Sequence, residues 1–113
     1  MLYFDEEGPE VKGWLAGPWN SKVPIAVGYA NQGIDEPHFH AEMYEVYLVA
    51  RGKSTAVVDD QTVRLQARSV LVVEPGEVHT FIDSTPDYYH FVIHAPVVVG
   101  DKHAPSSGSQ RGG

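Results

Sequence analysis

Eleven glycines and eight prolines in 113 residues cut this chain into short pieces, and that punctuation constrains the fold more than any other feature. Glycine and proline both interrupt helices, and the intervals they leave have little room for three helical turns. The pieces between them are rich in Val, Tyr, Phe, Ile and Thr, which suit pleated surfaces. The pattern predicts strands near Ile25–Tyr29, His38–His40, Glu45–Ala50, Ser54–Val58, Thr62–Leu65, Val70–Val73, Val78–Ile82 and Tyr88–His94. Gly52 marks one turn, and Asp59-Asp60 reads as a two-residue hairpin. Val63, Leu65 and Ala67 alternate with Thr62, Arg64 and Gln66, so that strand shows one face to water. Short strands at this spacing predict an all-β sandwich or barrel. No repeat of 20–50 residues argues for a solenoid or propeller.

Two strands break the alternation. Glu45–Ala50 carries Tyr47 and Val49 on one face, Val46 and Leu48 on the other, and Val70–Val73 is apolar on both. A strand of this kind needs cover on its second side. The N-terminal residues Leu2, Phe4, Trp14 and Trp19 can supply it within the chain or across a homodimer, and a dimer is the expectation. From Ala104 onward nothing apolar remains to bury, so residues 104–113 are expected to form a disordered tail on one domain of residues 1–103.

Charge narrows the partners. Eight Lys+Arg against fifteen Asp+Glu give a net charge of −7. Basic residues are not clustered, which disfavours a nucleic-acid partner. The longest apolar runs are far too short to cross a bilayer as a helix. The acidic start, Asp5-Glu6-Glu7, lacks the basic region of a signal peptide, so the cytoplasm is the expected compartment. The chain has no cysteine, which excludes disulfides and thiolate metal sites.

Chemistry concentrates in the histidines, six in all. His38 and His40 are two apart, so in an extended segment both imidazoles share a face. Glu45 follows after a short corner, and His79 lies in a later strand. Three imidazoles and a carboxylate suit one divalent ion such as Mn, Fe, Co, Ni or Zn. Glu42 shares the parity of His38 and His40 and competes with Glu45 if the strand runs straight on. Asp35 and Glu36 read as a solvated entry loop.

The spacing Gly33-x4-His38-x-His40-x4-Glu45-x6-Gly52 resembles the first motif of the cupin family, with the first gap one residue short. Glu74-Pro75-Gly76-Glu77-Val78-His79 is similar to the second, with Gly76, His79 and Asp83 at its Gly, His and Asn positions. Pro75 is displaced by one, Arg68 stands where the motif opens with Gly, and Asp83 stands for Asn. The two motifs fall within residues 33–83. The resemblance implies a double-stranded β-helix (jelly-roll) barrel with a metal held by His38, His40, Glu45 and His79, and it favours Glu45 over Glu42. If the turn at Arg68 keeps the family's positive φ, that residue is strained.

Catalytic candidates beyond these four are few. By parity Tyr47 shares the face of Glu45, and Phe81 that of His79, as pocket walls, while Phe39 points the other way. His90 and His94 share a face with Tyr88 and Val92, opposite Tyr89, Phe91 and Ile93. Apolar-inward packing sends both histidines outward. The alternative puts them in the cavity as acid–base groups near neutrality. His103 reads as solvated. Together these features point to a metalloenzyme acting on a small organic molecule, by dioxygenase, isomerase or lyase chemistry. A non-catalytic module that binds or senses a small ligand or metal is the other reading.

Overall fold

The computed structural model describes residues 1–6, 10–32 and 36–105. Gly33, Asp35 and residues 106–113, which hold most of the expected tail, lie outside them. Eight strands form: β1 (Lys12–Ala16), β2 (Ala26–Ala30), β3 (Tyr44–Arg51), β4 (Lys53–Val58), β5 (Gln61–Gln66), β6 (Val70–Val73), β7 (His79–Ser84) and β8 (Tyr89–Ala95). There is no helix among the described residues. A five-stranded antiparallel sheet runs β1-β2-β8-β3-β6, and a three-stranded one runs β5-β4-β7. The architecture is all-β, a double-stranded β-helix jelly roll.

Local sequence explains the corners. Gly52 alone joins β3 to β4 and turns the chain from one sheet into the other at φ 78°. The β4–β5 hairpin turns on Asp59-Asp60, with Asp59 at φ 52°. Asp59 Oδ1 accepts the Val78 N–H at 3.0 Å, which pins that hairpin to the approach to β7. Arg68 sits at φ 75°, the left-handed geometry expected if the turn keeps its form, at a cost of about 1 kcal/mol relative to glycine. In β5, Leu65 is buried while Thr62, Arg64 and Gln66 are exposed, as the alternation predicts.

The core lies between the sheets, where Tyr47, Val49, Ala56, Leu65, Val73, Phe81 and Tyr88 pack together. Three expectations need correction. His38–His40 is not a regular strand. It is an extended segment tied by isolated bridges, His38 to His79 and Phe39 to His103. A strand at Lys12–Ala16 was not foreseen, because Gly13 and the bulge after Trp14 blur its pattern. The outward placement of His90 and His94 is also overturned. β8 lies between β2 and β3, in a register that pairs Glu45 with His94, Tyr47 with Val92 and Val49 with His90. The inward parity of β3 therefore carries both histidines inward.

Apolarity misled on β8 because the outer face of the large sheet is itself apolar. Val27, Ile93, Val46 and Val72 form one cross-strand row there, and Tyr29, Phe91, Leu48 and Val70 the next. Toward β6 this face is open, with Val70 58% and Val72 50% exposed. Within the chain, the N-terminal aromatics do not supply this cover. Leu2 and Phe4 are exposed, and Trp14 stands on the cavity side of the sheet, 4.7 Å from the His94 ring and edge-on to Trp19.

Candidate metal centre

His38 and His79 come from distant parts of the sequence, and main-chain bonds join them. The N–H of each donates to the carbonyl of the other, at 3.1 and 2.9 Å. One turn away the Gly76 N–H donates to the His40 carbonyl at 2.7 Å, from a glycine at φ 88°. The loop before β7 is thereby stitched to the extended segment before β3. The residue alternation of that segment then turns His38 and His40 inward together and leaves Phe39 on the other side, against the His103 ring. Glu45, the second residue of β3, comes up beneath them.

His38, His40, Glu45 and His79 are all buried, and one ligand atom from each lies within 4.8 Å of the others. The hydrogen bonds behind the rings decide what these atoms can do. Nδ1 of His38 donates to the Glu36 carbonyl at 2.9 Å, that of His40 to the Asp101 carbonyl at 2.5 Å, and that of His79 to the Glu77 carbonyl at 3.0 Å. A carbonyl only accepts, so each Nδ1 carries the hydrogen and a neutral ring keeps its lone pair on Nε2. Second-sphere bonds of this kind orient metal-ligating histidines.

The Nε2 atoms of His79 and His40 lie 2.6 and 3.2 Å from Glu45 Oε1, and His40 Nε2 is buried without a hydrogen-bond partner. Bare lone pairs facing a buried carboxylate repel unless a cation lies between them. A divalent ion fits this donor set. Burial opposes ionisation of Glu45, but the imidazoles of His40, His79 and His94 beside it hold its carboxyl far below the usual carboxylate range. Burial likewise opposes protonation of His40, and Glu45 with the Asp101 carbonyl outweighs it, so its pKa is raised.

The centre opens on a cavity of about 470 Å³, whose walls include Trp14, Tyr47, Phe81, His90, Val92 and His94. Tyr47 and Phe81 are therefore pocket walls as expected, and the Tyr47 hydroxyl donates to Glu45 Oε1 at 2.9 Å. His94 reaches the other carboxylate oxygen, with Nε2 2.5 Å from Oε2. His90 turns Nδ1 to the Tyr88 hydroxyl at 2.7 Å. Its expected pKa near neutrality does not hold: burial pushes it down to about 4 against the pull of Glu45. The cavity thus holds a neutral imidazole on one wall and the polar cluster on the other.

Glu42 is exposed and outside the cluster. Its backbone contributes instead: the amides of Ala41, Glu42 and Met43 donate to the Asp101 carboxylate at 2.8–3.0 Å. Burial opposes ionisation there, and these amides with His103 hold Asp101 below the ordinary carboxylate range. His103 is correspondingly paired, 3.0 Å from Asp101 Oδ1, and not merely solvated. Asp101 organises the corner before β3 and holds His40 through its carbonyl. Sequence reasoning missed it because it lies beyond the last strand, in no motif. Trp14 and Lys12 on β1, and Lys102 beyond β8, also line the cavity and lie outside both motifs.

A family model for the AraC-like ligand binding domain matches residues 21–98, a span that takes in β2 to β8 and all four candidate ligands. The chain belongs to this family, within the cupin superfamily. Solved structures repeat the fold of this cupin. Pac13 from Streptomyces, described as a nucleoside dehydratase, is 14% identical over 89% of this chain and 84% of its own, with a TM-score of 0.68. A variant of Pac13 was solved with uridine. KdgF from Halomonas sp. is 16% identical over 87% and 89%, with a TM-score of 0.66. A double-stranded β-helix protein from Klebsiella pneumoniae is 24% identical over 67% and 69%, with a TM-score of 0.56. No curated protein sequence matches the chain.

Proposed function

We propose that this cupin is a metal-dependent enzyme acting on a small organic molecule, of dioxygenase, isomerase or lyase type. The observation that carries the reading is the set of three imidazoles whose Nδ1 atoms are all engaged by backbone carbonyls, beside a buried carboxylate at the floor of a cavity. His38, His40, Glu45 and His79 would hold one divalent ion. Such an ion, when bound with a free coordination position, supplies Lewis-acid polarisation of a substrate oxygen. The chain's own groups supply the rest. Tyr47 and His94 fix the two oxygens of Glu45 by hydrogen bonds. Trp14, Phe81 and Val92 give the substrate apolar walls and exclude water. Tyr47, His90 and His94 are the groups placed to hold or move a proton at the bound molecule.

The runner-up is a non-catalytic binding module, which the family description itself favours. The experiment that separates them incubates protein loaded in turn with Mn, Fe, Co, Ni and Zn with a panel of small hydroxy, keto and nucleoside compounds. Product formation that disappears in Glu45→Gln supports the enzyme. Saturable binding with no product in any loaded form supports the module and removes the enzyme reading.

The same proposal includes one domain over residues 1–103, the cytoplasm as compartment, and a homodimer built on the apolar outer face of the five-stranded sheet. Sedimentation at micromolar concentration should give twice the chain mass, and Val72→Lys should return the monomer. A monomeric wild type contradicts the dimer.

A further inference from the structure

Trp14 lines the cavity as a side chain held in place. It pairs with Gly28 across β1 and β2, and a Cβ on Gly28 would lie 2.7 Å from the indole Cε3. The glycine leaves the room in which the indole lies against the sheet. The His94 ring meets the indole at 4.7 Å and the Trp19 ring at 6.4 Å, both edge-on. So held, Trp14 is still 49% exposed and offers aromatic surface to a bound molecule. Lys12 lies two residues earlier, and the irregularity of β1 comes only after Trp14, so alternation puts both on one face. Lys102 reaches the cavity from the other end of the chain. Its backbone is fixed on both sides. The Asp101 carbonyl holds His40 Nδ1, and the His103 backbone exchanges hydrogen bonds with that of Phe39 at 2.9 and 3.0 Å.

The charge of this lining runs against that of the chain. Fifteen Asp+Glu outnumber eight Lys+Arg overall. Among the described residues, the cavity is lined by Lys12 and Lys102 and by one carboxylate, Glu45. Glu45 is buried in the cluster with His38, His40 and His79, so the charges at exposed positions of the lining are both positive. No ion pair joins either lysine to a described residue. Glu6 and Glu10 act on the Tyr29 phenol, but neither lines the cavity. Charges of one sign around a low-dielectric cleft concentrate ions of the other sign. Lys12, Trp14 and Lys102 all lie outside the span 21–98 that matches the family, so they are this chain's additions to the shared barrel. We infer that the molecule this cavity takes is a small organic anion, its anionic group met by Lys12 and Lys102 and a flat apolar face laid on Trp14. The inference rests on the reading of the cavity as the binding site and deepens it by naming the charge of the ligand.

Titration calorimetry on the zinc-loaded chain compares two pairs of probes matched in shape. Phenylacetate should bind more tightly than phenylacetamide if the anionic group is a carboxylate, and uridine monophosphate more tightly than uridine if it is a phosphate. The preference should be roughly 3–30-fold, the effect of two exposed ion pairs, and should shrink with added salt. Changing Lys12→Gln and Lys102→Gln together should abolish the preference and leave the neutral probe's affinity unchanged. Trp14→Ala should weaken acid and neutral probe alike, by roughly 2–10-fold. A second measurement needs no ligand. In Trp19→Phe, Trp14 is the sole indole, and its fluorescence should be quenched more by iodide than by caesium, opposite to what the net charge of −7 favours. Equal binding within both pairs overturns the inference and leaves the cavity a binding site, whereas binding of none of the four probes removes both. A preference that survives the double lysine change, or stronger quenching by caesium, also overturns it. Zinc content is measured on the same samples. Its absence would strike the metal reading, while the charge preference can still be read on the metal-free chain.

Discussion

Replacing His79 by alanine is expected to weaken divalent-metal binding by well over 100-fold. Second-sphere changes alone cost metal sites roughly 10–100-fold, and in the proposed centre His79 would supply a ligand atom, not an outer contact. Its ring completes the cluster, 4.3 Å from the His38 ring and 5.6 Å from the His40 ring between centroids. The main-chain bridge between His38 and His79 does not use the imidazole, so the corner should persist in the variant. Glu45→Gln keeps the shape and removes the charge, and should also lose metal. Glu42→Gln should leave affinity within a few-fold of wild type. It is a cleaner control than a change at His103, because His103 stands behind Asp101 and Asp101 holds His40. Competition titration with a chromophoric zinc chelator reads all three. Wild-type affinity in His79→Ala would remove that residue from the ligand set.

Gly52→Ala is expected to cost roughly 2–4 kcal/mol, a large share of the ~5–15 kcal/mol that holds a domain together. Two effects add. A Cβ at φ 78° carries a strain of about 1 kcal/mol. That Cβ would also lie 2.6 Å from the Tyr88 Cα and 2.8 Å from its backbone nitrogen. Backbone atoms cannot rotate aside, so the strands must separate, as in an overpacked core, at roughly 1–3 kcal/mol. Because Tyr88 is the residue pushed, the damage should also reach His90. Urea unfolding gives the stability change, and a loss under about 1 kcal/mol would show that the corner between the sheets yields easily. Gly76 offers the contrast, since nothing lies within 4 Å of a Cβ built there.

The buried cluster of His38, His40, Glu45 and His79 and the fold were legible for the same reason. His-x-His, the corner to Glu45 and the later His79 are local spacings, and alternation translates spacing directly into facing. The eight strands were readable where turn residues bounded them, and seven of the observed strands lie where the pattern put one. What failed was information held between strands. The facing of β8 depends on its register with β3, and its own composition pointed the wrong way because the sheet's outer side is apolar too. Asp101 matters through contacts to residues some sixty positions earlier, and no local pattern announces such a contact. The tautomer of His40 depends on a hydrogen-bond partner contributed by a distant segment, the Asp101 carbonyl, so it could be read only after the chain had folded.

The measurement that bears most directly on this centre is the metal content of the wild-type protein. The chain, purified without chelator or affinity metal, is loaded separately with Mn, Fe, Co, Ni and Zn, desalted, and analysed by inductively coupled plasma mass spectrometry. Retention of one ion per chain for at least one of these metals is the expected result, with loss of the ion as the pH falls through and below the ordinary histidine range, because protons compete for the same Nε2 atoms. A chain that retains none of the five at neutral pH would contradict the assignment of His38, His40, Glu45 and His79 as a metal centre.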